Sequence, residues 1–132
     1  MSRVNKYRGV HIHVHPQNEH LNGTWIYGYL SDENYINSID LEGGFLVDKD
    51  TVGQCIGVDD KNRKEIYEDD IVLSDDGKVG QVHWFEEHLA FMIWRVTDNK
   101  VYFAYDNDFS KIEVIGNVCE NADLLKEVEI SE

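Results

Sequence analysis

Short stretches in which apolar and polar residues alternate, separated by clusters of Asp, Asn, Gly and Ser, fill most of this chain. Alternation with period two marks half-buried strands. TWIYGYL (24–30) follows the turn LNG and predicts a strand with Trp25, Tyr27 and Tyr29 on one face. Gly28, set between two tyrosines, marks a bulge or a close backbone approach. FLVD (45–48) and TVGQCIGV (51–58) predict two more strands about the turn DKDT, and KEIY (64–67) returns after the turn cluster DDKNRK. DIVL (70–73), the turn SDDG, and KVGQVHWF (78–85) follow; in the last, Val79, Gln81, His83 and Phe85 share one face and Gly80, Val82 and Trp84 the other. LAFMIWRV (89–96) is almost continuously apolar and reads as a central strand. KVYFAY (100–105) and KIEVIGNV (111–118) complete the set. One helix is expected, over 121–128, with Asn121 as its cap, Asp123 in its first turn, and Leu124 and Val128 on one face.

Strands at such short intervals imply an all-β fold, either a small barrel or a pair of small sheets, with a short C-terminal helix. The chain is read as one domain: N-terminal strands and a loop insertion over 1–50, a barrel over 51–120, and the helix after it. No repeat or low-complexity tract interrupts it, and Pro16 is its only proline.

The stretch TVGQCIGVDDKNRKEIYEDDIV (51–72), followed by the V-x-W strand ending at Trp84, resembles the YopX family of phage and prophage proteins. That family's pattern is T-x-x-Q-x-T-G-L-x-D-x-N-G-x-E-I-Y-E-G-D-I-V. YRG (7–9) and WIYGYL (25–30) look like its upstream R-G-K and W-V-Y-G-x-L elements, and IEVIGNVCENADLL (112–125) looks like its closing segment. The matches run in order from residue 7 to residue 125. The departures fall in turns. Arg63 stands at the family's turn glycine, Asp69 replaces the glycine of E-G-D, Ile56 replaces Thr and Ala122 replaces Pro. HIHVHPQNEH (11–20) looks like an insertion. The resemblance implies an all-β fold of SH3-like barrel character, built from short antiparallel strands, in a protein of a temperate phage or resident prophage acting in the bacterial cytoplasm. The family has no established biochemical activity, so no catalytic residue carries over.

Within the resembling stretch, Gln54, Asp60, Asn62, Glu65, Tyr67 and Asp70 read as a structural motif. Asp60 and Asn62 can bond neighbouring backbone N–H groups, and Asp70 can cap the turn that precedes Ile71 and Val72.

Composition agrees with a cored protein: 42% of the 132 residues are hydrophobic and 11% aromatic. No apolar run approaches the ~20 residues of a membrane span, and the opening MSRVNKYRGV has no apolar signal core, so a cytoplasmic protein with no membrane partner is expected. Two cysteines cannot make a disulfide framework, which fits a reducing compartment.

Charge changes the picture most. Twelve Lys and Arg face 26 Asp and Glu, for a net charge of −14. Residues 1–31 carry three bases and one acid, whereas residues 32–76 carry fourteen acids and four bases. Such a field repels phosphate backbones and favours basic partners, which argues against direct nucleic-acid binding.

Candidate chemistry is sparse. His11, His13 and His15 alternate with Ile12 and Val14, a spacing that in a strand places three imidazoles on one side, with His20 beyond the turn at Pro16. That is a metal-site pattern for Zn or Ni, weighed against an exposed strand face or loop. Asp48-Lys-Asp50 and Asp106-Asn-Asp108 lack the Gly and distal Glu of a calcium loop and read as solvated turns. Cys55 and Cys119 fall in expected strands, as small buried hydrophobes. No Walker, G-x-S-x-G, G-x-G-x-x-G or Cys-x-x-Cys pattern occurs, so neither an enzyme nor a cofactor is expected. Trp84, Phe91, Trp94, Tyr102, Phe103 and Tyr105 have few interleaved bases and read as core and subunit-interface aromatics in preference to a base-stacking platform.

The expected protein is a non-catalytic interaction factor. Its acidic surface binds a basic host or phage protein, and unpaired strand edges make it a homo-oligomer. The alternatives are a nucleic-acid-associated barrel module, resting on fold alone, and a metal-binding protein using the N-terminal histidines.

Overall fold

The computed structural model describes residues 6–12, 20–87, 89–95, 100–103 and 108–125. The fold is all-β. The chain divides into two compact units, Met1–Cys55 and Ile56–Glu132, and strands pair antiparallel in each.

In the first unit, β1 (Tyr7–Val10) pairs with β2 (Trp25–Asp32), β2 with β3 (Tyr35–Ser38), and β3 with β4 (Gly44–Leu46). β5 (Gly53–Asp59) begins beside β1, with Tyr7 opposite Gln54. Ile26, Ile36, Phe45 and Val47 form the core, joined by Tyr7, Leu21, Leu30 and Val52. Ile26 and Gly28 alternate inward, leaving Trp25, Tyr27 and Tyr29 on the other face, as the period predicts. Gly28 is the close approach expected at that position: a Cβ there would lie 1.9 Å from the Asn37 carbonyl oxygen on β3. Arg8 is buried, its guanidinium 4.8 Å from the Trp25 ring centroid, a cation–π contact that the sequence did not announce.

In the second unit, β5 ends in a turn closed by the Asp60 N–H donating to the Lys64 carbonyl, and β6 (Glu65–Tyr67) returns beside it. A five-stranded sheet follows in the order β10-β9-β8-β7-β11, built from β7 (Asp70–Ser74), β8 (Val79–Phe85), β9 (Ala90–Arg95), β10 (Lys100–Phe103) and β11 (Ile112–Asn117). Cross-strand register puts Val72, Val82, Ile93 and Val114 on one face, where they form the core with Ile66 and Ile112. β9 lies inside the sheet, as its apolar run predicts.

Three expectations are corrected. The sheets are not closed into the SH3-like barrel. β10 and β11 lie at opposite edges of the five-stranded sheet. The outer edge of β11 is met by the Asp60–Lys61 turn, with the Lys61 N–H donating to the Ile112 carbonyl and the Asp60 carboxylate accepting from the Val114 N–H. A turn and a carboxylate therefore occupy the edge where a closing strand would have to pair. In the first unit, the His11–Val47 contact is an isolated bridge.

Helical backbone begins earlier than expected, at Val118, and after a turn at Ala122 it resumes over 123–125, inside the expected 121–128, of which 126–128 lie outside the described residues. α1 spans Val118–Asn121, and its cap is Asn117, whose side chain accepts from the Glu120 N–H. Asn121 ends the turn and reaches back to accept from the Asn117 N–H. Both asparagines suit a cap, and the one that directly ends β11 takes it. The last expectation concerns Cys119, which lies on α1 and is exposed, not in a strand.

Candidate functional site

Five of the six motif residues, Asp60, Asn62, Glu65, Tyr67 and Asp70, lie along the β5–β6 turn, β6 and the entry to β7, whereas Gln54 lies at the start of β5 in the first unit. Asp60 is 5% exposed, and its carboxylate accepts from three backbone N–H groups: Asn62 at 2.8 Å, Lys64 at 2.9 Å and Val114 at 2.9 Å. Burial pushes its pKa upward. The N–H groups of Val114, Lys64 and Asn62, helped by the Lys64 charge, outweigh burial and hold the pKa below the ordinary aspartate value. Asp60 thus clamps its own turn to a strand 54 positions away. Asp70 caps the next turn by accepting from the Tyr67 N–H at 2.8 Å, and the Tyr67 hydroxyl donates to Glu65 at 3.3 Å. Tyr67 and Asp70 are buried, and Gln54 takes its place in the pairing of β5 with β1.

Two residues in these turns have left-handed backbone: Arg63 at φ 66° and Asp69 at φ 71°. They stand where the sequence pattern calls for glycine, so both turns keep the glycine geometry without the glycine. The Asp69 N–H donates to the Val82 carbonyl and its own carbonyl accepts from Val118, so the strained residue is fixed from both sides.

Of the histidines, His13 and His15 lie outside the described residues. His11 is 2% exposed, its Nδ1 donates to the Leu46 carbonyl at 2.7 Å, and its ring meets Phe45 edge-on. His20 is exposed. Among the described residues, no group of three His, Cys, Asp or Glu is placed to hold a metal ion. The Asp-x-Asp segments are turns. Asp48 caps a 3-10 turn at Lys49–Thr51, and Asp108 caps another at Phe109–Lys111, while Asp106 lies outside the described residues.

Among the described residues, two concavities in the second unit bear on the candidate site. One, of about 290 Å³, is lined by Ser74, Asp75, Asp76, Arg95, Asp108 and Lys111, with Ile112. Asp76 accepts from the Ser74 hydroxyl and, at 3.5 Å, from Arg95. The Ser74 hydroxyl, aided by the Lys78 N–H and Arg95, holds the Asp76 carboxyl below its ordinary value, and Ser110 does the same for Asp108. Each of these two carboxylates is thus satisfied by its own turn, with a cation nearby.

The other, of about 230 Å³, is lined by Gln81, His83 and Phe85 of β8 and Trp94 of β9. It lies on the sheet face that also carries buried Ile71 and Met92, opposite the cluster of Val72, Val82 and Ile93, and there Trp94 is the cross-strand partner of Gln81. The His83 and Phe85 rings meet edge-on at 5.2 Å. Asp69 stands beside it: its Oδ1 accepts from Gln81 Nε2 at 3.3 Å and lies 3.7 Å from His83 Nδ1. Period two places Gln81, His83 and Phe85 on one face; Trp94, expected as a core or subunit-interface aromatic, joins them through the β8–β9 register, and Asp69 was expected only as a replaced turn glycine. The glycine replacement at 69 was the available signal. Trp84 and Phe91 stack edge-on at 5.0 Å on the core face, and Trp84 donates to Glu86.

A family model described as YopX protein matches residues 6–126, nearly the whole chain. No curated protein matches the chain. No helix among the described residues is long and apolar enough to cross a membrane.

Proposed function

The chain belongs to the YopX family, and on that premise we propose that it is a phage- or prophage-encoded accessory protein that works in the bacterial cytoplasm by binding a basic partner protein. The observation that carries this reading is the charge: 26 acids against 12 bases, with fourteen of the acids within residues 32–76. Asp60 and Asp70 are used by the fold, but the remainder of that surplus gives a field that draws cations and repels phosphate. The protein acts without catalysis and needs no cofactor.

Self-association is part of the proposal. β10 lies at the edge of its sheet, carries the strand-forming residues Val101, Tyr102 and Phe103 after Lys100, and exposes Val101. Two copies joined edge to edge would cover it. Because both copies are acidic, the association strengthens as salt rises.

The test is affinity capture from bacterial lysate, with and without nuclease, followed by a salt wash. A basic protein retained after nuclease treatment and released by salt is the expected result. Recovery that disappears with nuclease would replace this reading with a nucleic-acid-associated one. Light scattering over a range of concentration and salt tests self-association, and a monomer throughout would remove it.

A further inference from the structure

We infer that the groove formed by Gln81, His83, Phe85 and Trp94, with Asp69 at its side, is a docking site for an arginine side chain of that basic partner. The inference rests on the reading of an acidic interaction protein and gives it an address.

Three observations converge on this groove. Its walls are aromatic, with the Trp94 indole and the Phe85 ring on adjacent strands, and an aromatic face attracts a cation. The carboxylate beside it, Asp69, is about one-third exposed and bonded to neutral Gln81. No Lys or Arg occupies a described register position on this face of β7, β8, β9 or β10. The 290 Å³ concavity differs in this respect, since Arg95 and Lys111 already line it. The third observation is the backbone of Asp69. Left-handed backbone is strained for a residue other than glycine, though less for aspartate than for most, and here it places a carboxylate 3.7 Å from His83 Nδ1 on the aromatic face.

Guanidinium suits this site better than ammonium. It is flat, so it stacks on an indole, and its five N–H donors can reach the Asp69 carboxylate and the Gln81 side-chain oxygen in the same pose. The Lys ammonium is a compact, strongly hydrated charge that gains less from the ring.

The test uses hexa-arginine and hexa-lysine peptides as probes, titrated calorimetrically into the full chain. The Asp69→Gly variant is decisive because it removes the carboxylate while relieving the backbone, and its melting temperature separates lost binding from lost folding. The expected result is tighter binding of hexa-arginine than of hexa-lysine, weakened about tenfold by Asp69→Gly with no fall in melting temperature. Trp94→Leu should remove the preference for arginine over lysine. Hexa-arginine binding that survives both substitutions unchanged would overturn the docking site while leaving the acidic reading standing. If neither peptide binds even at low salt, the docking site and the acidic reading fall together. If neither binds and Trp94→Leu turns an oligomer into a monomer, the groove belongs to a second copy of the chain.

Discussion

Asp60 and Asp69 stand nine positions apart in one turn-rich segment, and the fold uses them in opposite ways. Asp60 is buried, and both of its carboxylate oxygens are taken by backbone N–H groups, one of them on distant β11. Asp69 is partly exposed, sits on left-handed backbone, and turns its carboxylate toward Gln81 and His83 on an aromatic face. The first carboxylate satisfies donors that would otherwise be buried unpaired, so it is architecture. The second does nothing for the turn that glycine would not do at lower cost. A carboxylate kept at a position that penalises it is the better place to look for binding.

The largest effect that could break this comparison is on folding. Asp60→Ala leaves the N–H groups of Asn62, Lys64 and Val114 without their acceptor and is expected to lower the unfolding free energy by about 3 kcal/mol. Asp69→Asn should change it by no more than about 0.5 kcal/mol. Urea denaturation measures both, and equal losses would erase the distinction.

Acid should expose the same clamp. The folded-state pKa of Asp60 is held below that of a free carboxyl, because three backbone N–H donors outweigh its burial. Its stabilising contribution is therefore complete above about pH 4, the unfolded value, and is lost as pH falls through the lower folded value. Melting temperature followed from pH 6 down to pH 2.5 should fall more steeply in the intact chain than in Asp60→Asn, which has no carboxylate left to protonate. Parallel curves would mean that other carboxylates set the acid limit.

How far this contrast was legible in the sequence depends on the range of each interaction. β2 and β8 could be read from alternation, β9 from its continuous apolar run, and the other strands after β3 from short apolar runs set between turn clusters. β1 and β3 were not read as strands: β1 buries the adjacent pair Arg8 and Gly9, one of them charged, and β3 buries Ile36 alone. Asp60 was recognisable as a turn former from the cluster around Asn62, but its bond to Val114 joins residues 54 positions apart and leaves no local trace. That same bond, with Lys61 on Ile112, keeps β11 from pairing onward, so the expectation of a closed barrel failed for a reason no local pattern carries. His11 alternates with Ile12 as an exposed face would, yet it turns inward to Leu46 and Phe45. The groove was half visible. Period two put Gln81, His83 and Phe85 together, whereas Trp94 joins them only through the β8–β9 register.

The smallest effect sharpens the comparison most. Arg63 and Asp69 share one backbone strain, with φ of 66° and 71°, yet only Asp69 stands beside an aromatic groove. Arg63→Gly should raise stability by about 1 kcal/mol, since a long side chain is poorly tolerated in the left-handed region. Asp69→Gly should gain less, about 0.5 kcal/mol, because aspartate enters that region more readily and because its contact with Gln81 is given up. Thermal melts rank the two directly. The strain at 63 should be removable without penalty to peptide binding, and the strain at 69 only at the expense of it. If both glycine variants gained stability and neither lost affinity for hexa-arginine, Asp69 would be no more than a second Arg63, a turn residue that tolerates a costly backbone, and the contrast with Asp60 would reduce to burial alone.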